Sequence, residues 1–228
     1  MKMVTELQRK NRIAGDLVKK GVPKNVIIGI LCNAYAESGI DGLSPFTGES
    51  DGTGLNGFGI WQFTSFGGAN SFRSYIVSAV SGKDDLTAVD IETNALVDKT
   101  TTFGQWMTYY LPSNLKMSWN SFLKSNVSWQ DATKMFCLGW ERPGNMYGQA
   151  VSRQSNYNRV MNGLDLSGAS AGSATGPATN KPKPNTSHQD DDIVDQILKD
   201  KVWTHTELEY CLSLFQDMLA PLYDKWLH

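Results

Sequence analysis

A mainly α fold is predicted by three features of the 228-residue sequence. It consists of helices around one buried central helix, a small Gly-rich irregular or β lobe, and a C-terminal helical module. The first feature is "VIIGILCNAYA", residues 26–36, which is apolar nearly all round and so suits a helix with protein on every side. The second is "GIDGLSPFTGESDGTGLNGFG", residues 39–59, whose seven glycines and missing helical period predict loops with a small hairpin. The third is residues 167–192, "SGASAGSATGPATNKPKPNTSHQDDD". They contain no large apolar side chain and read as a flexible linker with a stiffer Pro-containing end.

The elements follow in order. "ELQRKNRIAGDLVKKG" places Leu7, Ile13, Leu17 and Val18 at near-helical spacing and stops at Gly21. Pro23 opens the buried helix, which runs through Ser38 with Gly39 at its C-cap. Helical spacing returns at Phe72, Tyr75, Ile76, Ala79 and Val80, and more weakly across 86–110. "SWQD", Ser128 to Asp131, is a capping-box pattern opening a helix to about Glu141, which Pro143 ends. A last helix from Gly148 to Met161 closes at Gly163. The domain boundaries are therefore 1–166 for the large domain, 167–192 for the linker and 193–228 for an amphipathic module. In that module Leu208, Leu212, Phe215, Leu219, Leu222 and Trp226 form an a/d-like stripe. So short a helix needs a partner for that stripe. Its own large domain, a second copy, or a virion or cell-wall component would serve.

Charge and cysteine usage exclude several classes. Residues 1–166 carry 16 Lys and Arg against 14 Asp and Glu, and residues 167–228 carry 5 against 9, so neither part has the basic excess that nucleic acid demands. The longest apolar run is too short to span a bilayer. "MKMVTELQRKNR" has no apolar segment behind its charges, so synthesis in a cytoplasm without a signal peptide is expected. Cys32, Cys137 and Cys211 are odd in number and far apart, which argues against a disulfide framework and a zinc ribbon.

Chemistry in the large domain has to rest on carboxylates. His188, His205 and His228 all lie beyond it, so it holds no Ser–His or Cys–His dyad and no usual zinc ligand set, and no metal or other cofactor is expected. No glycine-rich phosphate loop is present. Cys32, within the apolar helix, reads as a core residue. Glu37 stands out. It ends the apolar helix, where burial and the helix C-terminus both disfavour its charge and push its pKa upward, as a general acid near neutral pH requires. A second acid would come from Asp41, Glu49 or Asp51 in the Gly-rich segment, either stabilising an oxocarbenium-like transition state or positioning water. Asp51 is the expected one. Asp41 lies too close to Glu37 in the chain, and glycines at 52 and 54 let the backbone approach a sugar closely.

"GILCNAYAESGI", "GFGIWQFT" and "FCLGWERPG" resemble the three marker segments of the phage tail-tip lysozyme family, within the wider lysozyme and lytic-transglycosylase fold. The likeness covers about residues 5–163. It implies an α+β lysozyme-like fold and cleavage of the β-1,4 linkage between N-acetylmuramic acid and N-acetylglucosamine in bacterial peptidoglycan. By position it implies Glu37 as the acid, Ser38 as a substrate-side hydrogen bonder and Gln62 as a cleft residue. Trp61 inside "GIWQ" is expected to face sugar, whereas core packing is expected for Phe63, Trp106, Tyr109 and Tyr110. Glu49, Glu141 and Tyr147 complete the candidate substrate contacts, with a structural ion pair to Arg142 the competing role for Glu141. Some relatives carry a metal-dependent peptidase domain after the linker, which residues 193–228 are too few to supply. The expected settings are an enzyme released at lysis or a virion component that opens the wall on entry. The competing classes are a lytic transglycosylase and a glycan-binding or structural tail protein of the same fold.

Overall fold

Thr5 starts the first helix with a complete capping box. Its hydroxyl accepts the Gln8 N–H at 3.2 Å, and the Gln8 side chain accepts the Thr5 N–H at 2.8 Å. The computed structural model describes residues 4–38, 42–48, 57–65, 70–143 and 145–169. Helix α1 (Glu6–Lys19) turns at Gly21 in the left-handed region and buries Ile13, Ala14 and Leu17, while Leu7 stays exposed. Helix α2 (Lys24–Glu37) follows, with Pro23 as its N-cap, one position earlier than the expected first-turn place. Every residue of α2 from Val26 to Tyr35 is buried.

The α2 helix packs against α1, α6 (Trp129–Phe136), α8 (Tyr157–Met161) and the 3-10 turn Arg153–Asn156. Its closest approach is to α6. A Cβ on Gly29 would stand 2.5 Å from Ala132 Cβ and 2.6 Å from the Thr133 nitrogen, so only glycine lets the two backbones meet there. Asn33 seals the same contact. Its amide donates to the carbonyls of Gly29 at 2.9 Å and Thr133 at 3.0 Å.

Ser71 caps α3 (Phe72–Val80), and Asp84 caps α4 (Asp85–Phe103), which ends at left-handed Gly104. The weak period over 86–110 thus covers one helix and then a 3-10 turn, Thr108–Tyr110. The period was weak because Glu92, Thr93 and Thr100 sit on the buried face of α4, where a pattern search expects apolar letters. Short α5 (Trp119–Phe122) left no such trace. Ser128 caps α6 by accepting the Asp131 N–H at 3.0 Å, but the α-helix stops at Phe136 and widens into a π-helix over Cys137–Glu141. The expected last helix is likewise divided into α7 (Met146–Ser152), the 3-10 turn and α8.

Among the described residues the Gly-rich lobe contributes an isolated antiparallel bridge, Gly48 to Phe58, and no named strand. Trp140 is the hub of the aromatic core, with ring centroids of Phe136, Trp119, Phe63 and Phe72 within 5.4–6.1 Å. At the far side, Lys10 donates to the carbonyls of Arg159 (3.0 Å) and Asn162 (2.5 Å), and Asn11 exchanges hydrogen bonds with Gly163 and Asp165. The chain divides into two units, Met1–Gly176 and Pro177–His228. Gly39, the linker beyond residue 169 and the stripe from Leu208 to Trp226 lie outside the described residues.

Gly29→Ala tests the α2–α6 contact. The added methyl meets backbone rather than a movable side chain, so a loss of about 2–3 kcal/mol is expected on overpacking magnitudes, read by urea denaturation.

Candidate active site

The last turn of α2 carries Asn33 and Glu37, one helical turn apart on one face. Glu37 is only 14% exposed and forms an ion pair with Arg153, itself 4% exposed. The other arm of Arg153 donates to Asn33 Oδ1 at 3.0 Å. Asn33 is thereby used in full, with its amide on α2 and α6 and its oxygen on the guanidinium. Burial opposes the charge of Arg153, but the carboxylates of Glu141 and Glu37 outweigh it and hold the guanidinium above its ordinary value. Two acids from different segments therefore act on one buried cation.

Glu141 arrives there by the π-helix. The wider turn inserts one extra residue and ends on Arg142 at φ 52°, a left-handed conformation that costs a non-glycine residue about 1–3 kcal/mol. Arg142 spends its guanidinium on the carbonyls of Gln105 (2.6 Å) and Gly139 (2.9 Å), anchoring the chain before the Thr108–Tyr110 turn. Cys137 lies in the same field. Burial pushes its thiol up to about 12, assisted by Glu141 and Glu37 and opposed by Arg153. Cys32 is pushed up to about 12 by burial as well, as befits a core residue.

The "GIWQ" segment is a tight turn. Phe58 and Phe63 exchange backbone hydrogen bonds of 3.2 and 2.9 Å, and Gln62 sits inside the turn at φ 46°. Trp140 Nε1 donates to the Trp61 carbonyl at 2.7 Å, which joins this turn directly to the π-helix. From behind, the Ile60 N–H donates to Glu92 Oε2 at 2.7 Å. Glu92 is completely buried, and burial raises its carboxyl well above the ordinary range, which favours the uncharged form. A Cβ on Gly59 would come within 2.5 Å of both Glu92 oxygens, which is why the turn has glycine there.

Trp61 corrects the expectation of sugar contact: its ring is fully buried edge-on to Phe136. The hydroxyl of Ser38 donates to the Ala34 carbonyl at 2.8 Å, a helix-end role, and Ser38 is nearly buried. Gln62 is 6% exposed and its amide donates to the Gly59 carbonyl, so it shapes the turn more than it faces a cleft. Tyr147 is half-exposed, and Glu141 is half-buried near Glu37 and Arg153. Tyr109 reverses its expectation, being 84% exposed beside Tyr110. Asp41, Glu49 and Asp51 lie outside the described residues. An open cleft of about 450 Å³, lined by Ser71, Ser74, Ser78, Tyr75 and Phe103, shares no residue with the Glu37 cluster. Among the described residues no group of three or more His, Cys, Asp and Glu side chains is placed to hold a metal ion, and no helix is long and apolar enough to cross a membrane.

Sequence reasoning missed Arg153, Asn33 and Glu92. The four-residue spacing of Asn33 and Glu37 was a usable signal, because it puts both on one helix face. The phage tail lysozyme family matches residues 8–164, which contain all three motif segments. The chain belongs to that family. No curated protein matches it significantly. Membership makes the function lysozyme-like and the target the bacterial cell wall, with peptidoglycan the implied substrate.

Glu92 yields a test by linkage. Burial raises its carboxyl well above the ordinary value in the folded state, so the native state binds more protons than the unfolded chain between those two values. Stability then falls as pH rises through that window, by at most about 1.4 kcal/mol per pH unit. Glu92→Gln cannot ionise and should gain on wild type progressively as pH rises above the ordinary glutamate value in urea titrations. A constant difference would mean that burial does not raise the Glu92 carboxyl.

Proposed function

We propose that the protein is a peptidoglycan muramidase that hydrolyses the β-1,4 bond between N-acetylmuramic acid and N-acetylglucosamine. The observation that carries this reading is Glu37, mostly buried at the end of α2 and held in one orientation by Arg153, which Asn33 holds in turn. Glu37 delivers the proton to the leaving glycosidic oxygen. Asp51, within the Gly-rich segment of the sequence, serves as the second carboxylate, with Glu49, Glu141 and Tyr147 contacting the glycan. Ser38, Trp61 and Gln62 support the site from within the fold. Residues 1–166 form the catalytic domain, residues 167–192 link it, and residues 193–228 attach the enzyme to a second copy or to a wall or virion component. The enzyme acts either as a virion-borne tail lysin or after release at lysis.

Replacing Glu37 by Gln keeps an oxygen that accepts from Arg153, so the fold should survive. Wall clearing should fall by roughly 100-fold or more, the general-acid expectation. Retention of more than a tenth of wild-type clearing would remove Glu37 from the reaction. Mass spectrometry of the digest should show reducing ends. Anhydro ends, together with mild and equal effects of Asp41→Asn, Glu49→Gln and Asp51→Asn, would make the protein a lytic transglycosylase that needs no second acid.

Shortening the chain to residues 1–166 should leave cleavage of soluble glycan fragments unchanged while slowing attack on intact cells, as effective concentration at the wall is lost. Loss of activity on the fragments would make the later residues part of the catalytic fold.

A further inference from the structure

We propose that Tyr109 is a stacking platform for the sugar backbone of peptidoglycan, presented on a turn that the two later motif segments hold in place. This rests on the glycan being the substrate and extends its contacts beyond Glu49, Glu141 and Tyr147. Tyr109 is 84% exposed, and Met107, two residues before it, is exposed as well. Aromatic rings stabilise a fold by being buried, so a ring left in water contributes little to this one. On a loose loop that would carry no meaning, but this loop is pinned from two directions.

From the "GIWQ" side, the buried Gln105 side chain donates to the Gln62 carbonyl and accepts the Thr64 N–H, both at 3.3 Å. From the π-helix side, the Met107 N–H donates to the Gly139 carbonyl at 2.9 Å. Arg142 donates to that same carbonyl at 2.9 Å and to the Gln105 carbonyl at 2.6 Å. Between these anchors Trp106 stacks on Phe122, with ring centroids 4.9 Å apart, and its indole N–H donates to the Met117 carbonyl at 3.0 Å. Leu111 is buried, and its N–H closes the turn on the Thr108 carbonyl at 3.2 Å. Tyr110 packs against the core and meets Tyr109 at 81°, with centroids 5.4 Å apart, which steadies the exposed ring. The left-handed strain at Arg142 thus has a use, because its guanidinium holds this turn in place one residue from Glu141.

The chemistry of the turn selects the occupant. An aromatic face is electron-rich, and the tyrosine adds a hydroxyl at its tip. A pyranose presents the complement, a face of C–H groups ringed by hydroxyls and acetamides. Residues 100–115 contain no Asp, Glu, Lys or Arg. The turn therefore suits the neutral sugar backbone and has no charge with which to hold an ionised peptide stem.

The test compares Tyr109→Ala and Tyr109→Phe in the full chain on glycan strands stripped of their peptides. Tyr109→Ala should raise KM roughly 3–10-fold and leave kcat nearly constant, as loss of binding shared by ground and transition states requires. Its melting temperature should match wild type at so exposed a position. Tyr109→Phe keeps the ring face and should stay within about twofold of wild type. In Glu37→Gln, the Tyr109 ring resonances should shift as stripped strands are added, a readout that needs no turnover. An unchanged KM in Tyr109→Ala would overturn the proposal, as would equal losses in Tyr109→Ala and Tyr109→Phe, which mark a hydroxyl contact. An effect confined to peptide-bearing strands would put the stem on the ring and overturn it too. So would weaker self-association of Tyr109→Ala with strand binding intact, since the ring would then serve a second copy. Wild-type protein that neither binds nor cleaves the stripped strands would remove the muramidase reading, and this contact with it.

Discussion

Helix α2 has no face to give to water, and the rest of the fold is arranged by that constraint. Val26, Ile27, Ile28, Ile30 and Leu31 are all essentially inaccessible, and each buried side chain of this kind contributes roughly 1.5–3 kcal/mol. A helix of this type must be wrapped, and α1, α6, α8 and the Arg153–Asn156 turn wrap it. Wrapping brings a difficulty at the end that carries Glu37. An unpaired carboxylate there would cost several kcal/mol, enough to cancel two of those side chains. Arg153, Asn33 and the Ser38 cap are the answer, and they are the polar side chains that furnish the site.

The three motif segments are far apart in the chain, and each is held by polar contacts to another part of the fold. Trp140 reaches the Trp61 carbonyl, Arg153 reaches Glu37, and Glu92 holds the back of the "GIWQ" turn. Strain gathers at the same places. Gln62 and Arg142 are two of the three non-glycine residues with positive φ among the described residues, and each closes a motif segment. The π-helix lies between them in function, since its extra residue brings Glu141 and Arg142 into the site while Trp140 stays in the core. Rigid aromatic packing on one side and strained turns on the other leave the acidic groups little freedom to drift.

The sequence made α2, its terminal acid and the order of the helices legible, because those depend on local periodicity and caps. Arg153 was not legible. Its meaning comes from a contact spanning 116 positions, and nothing in "VSRQSN" announces a buried cation. Glu92 was hidden for a related reason: charged letters are read as solvent-facing, and this one is interior, where burial disfavours its charge. Trp61 and Tyr109 show the limit for aromatics. Composition says that a ring is present but not which way the backbone turns it, and the two rings take opposite places from those expected.

The Lys10 and Asn11 contacts have a consequence for how such a domain can be used. They fasten the first helix to the segment Arg159–Asp165, so the folded unit begins and ends at one spot on its surface. A polypeptide that enters and leaves at neighbouring points can be spliced into an exposed loop of another protein without forcing that loop open. The unit is therefore shaped like a plug-in module: a larger assembly could carry it on a surface bend as readily as at a chain end, with the buried helix and its acid undisturbed.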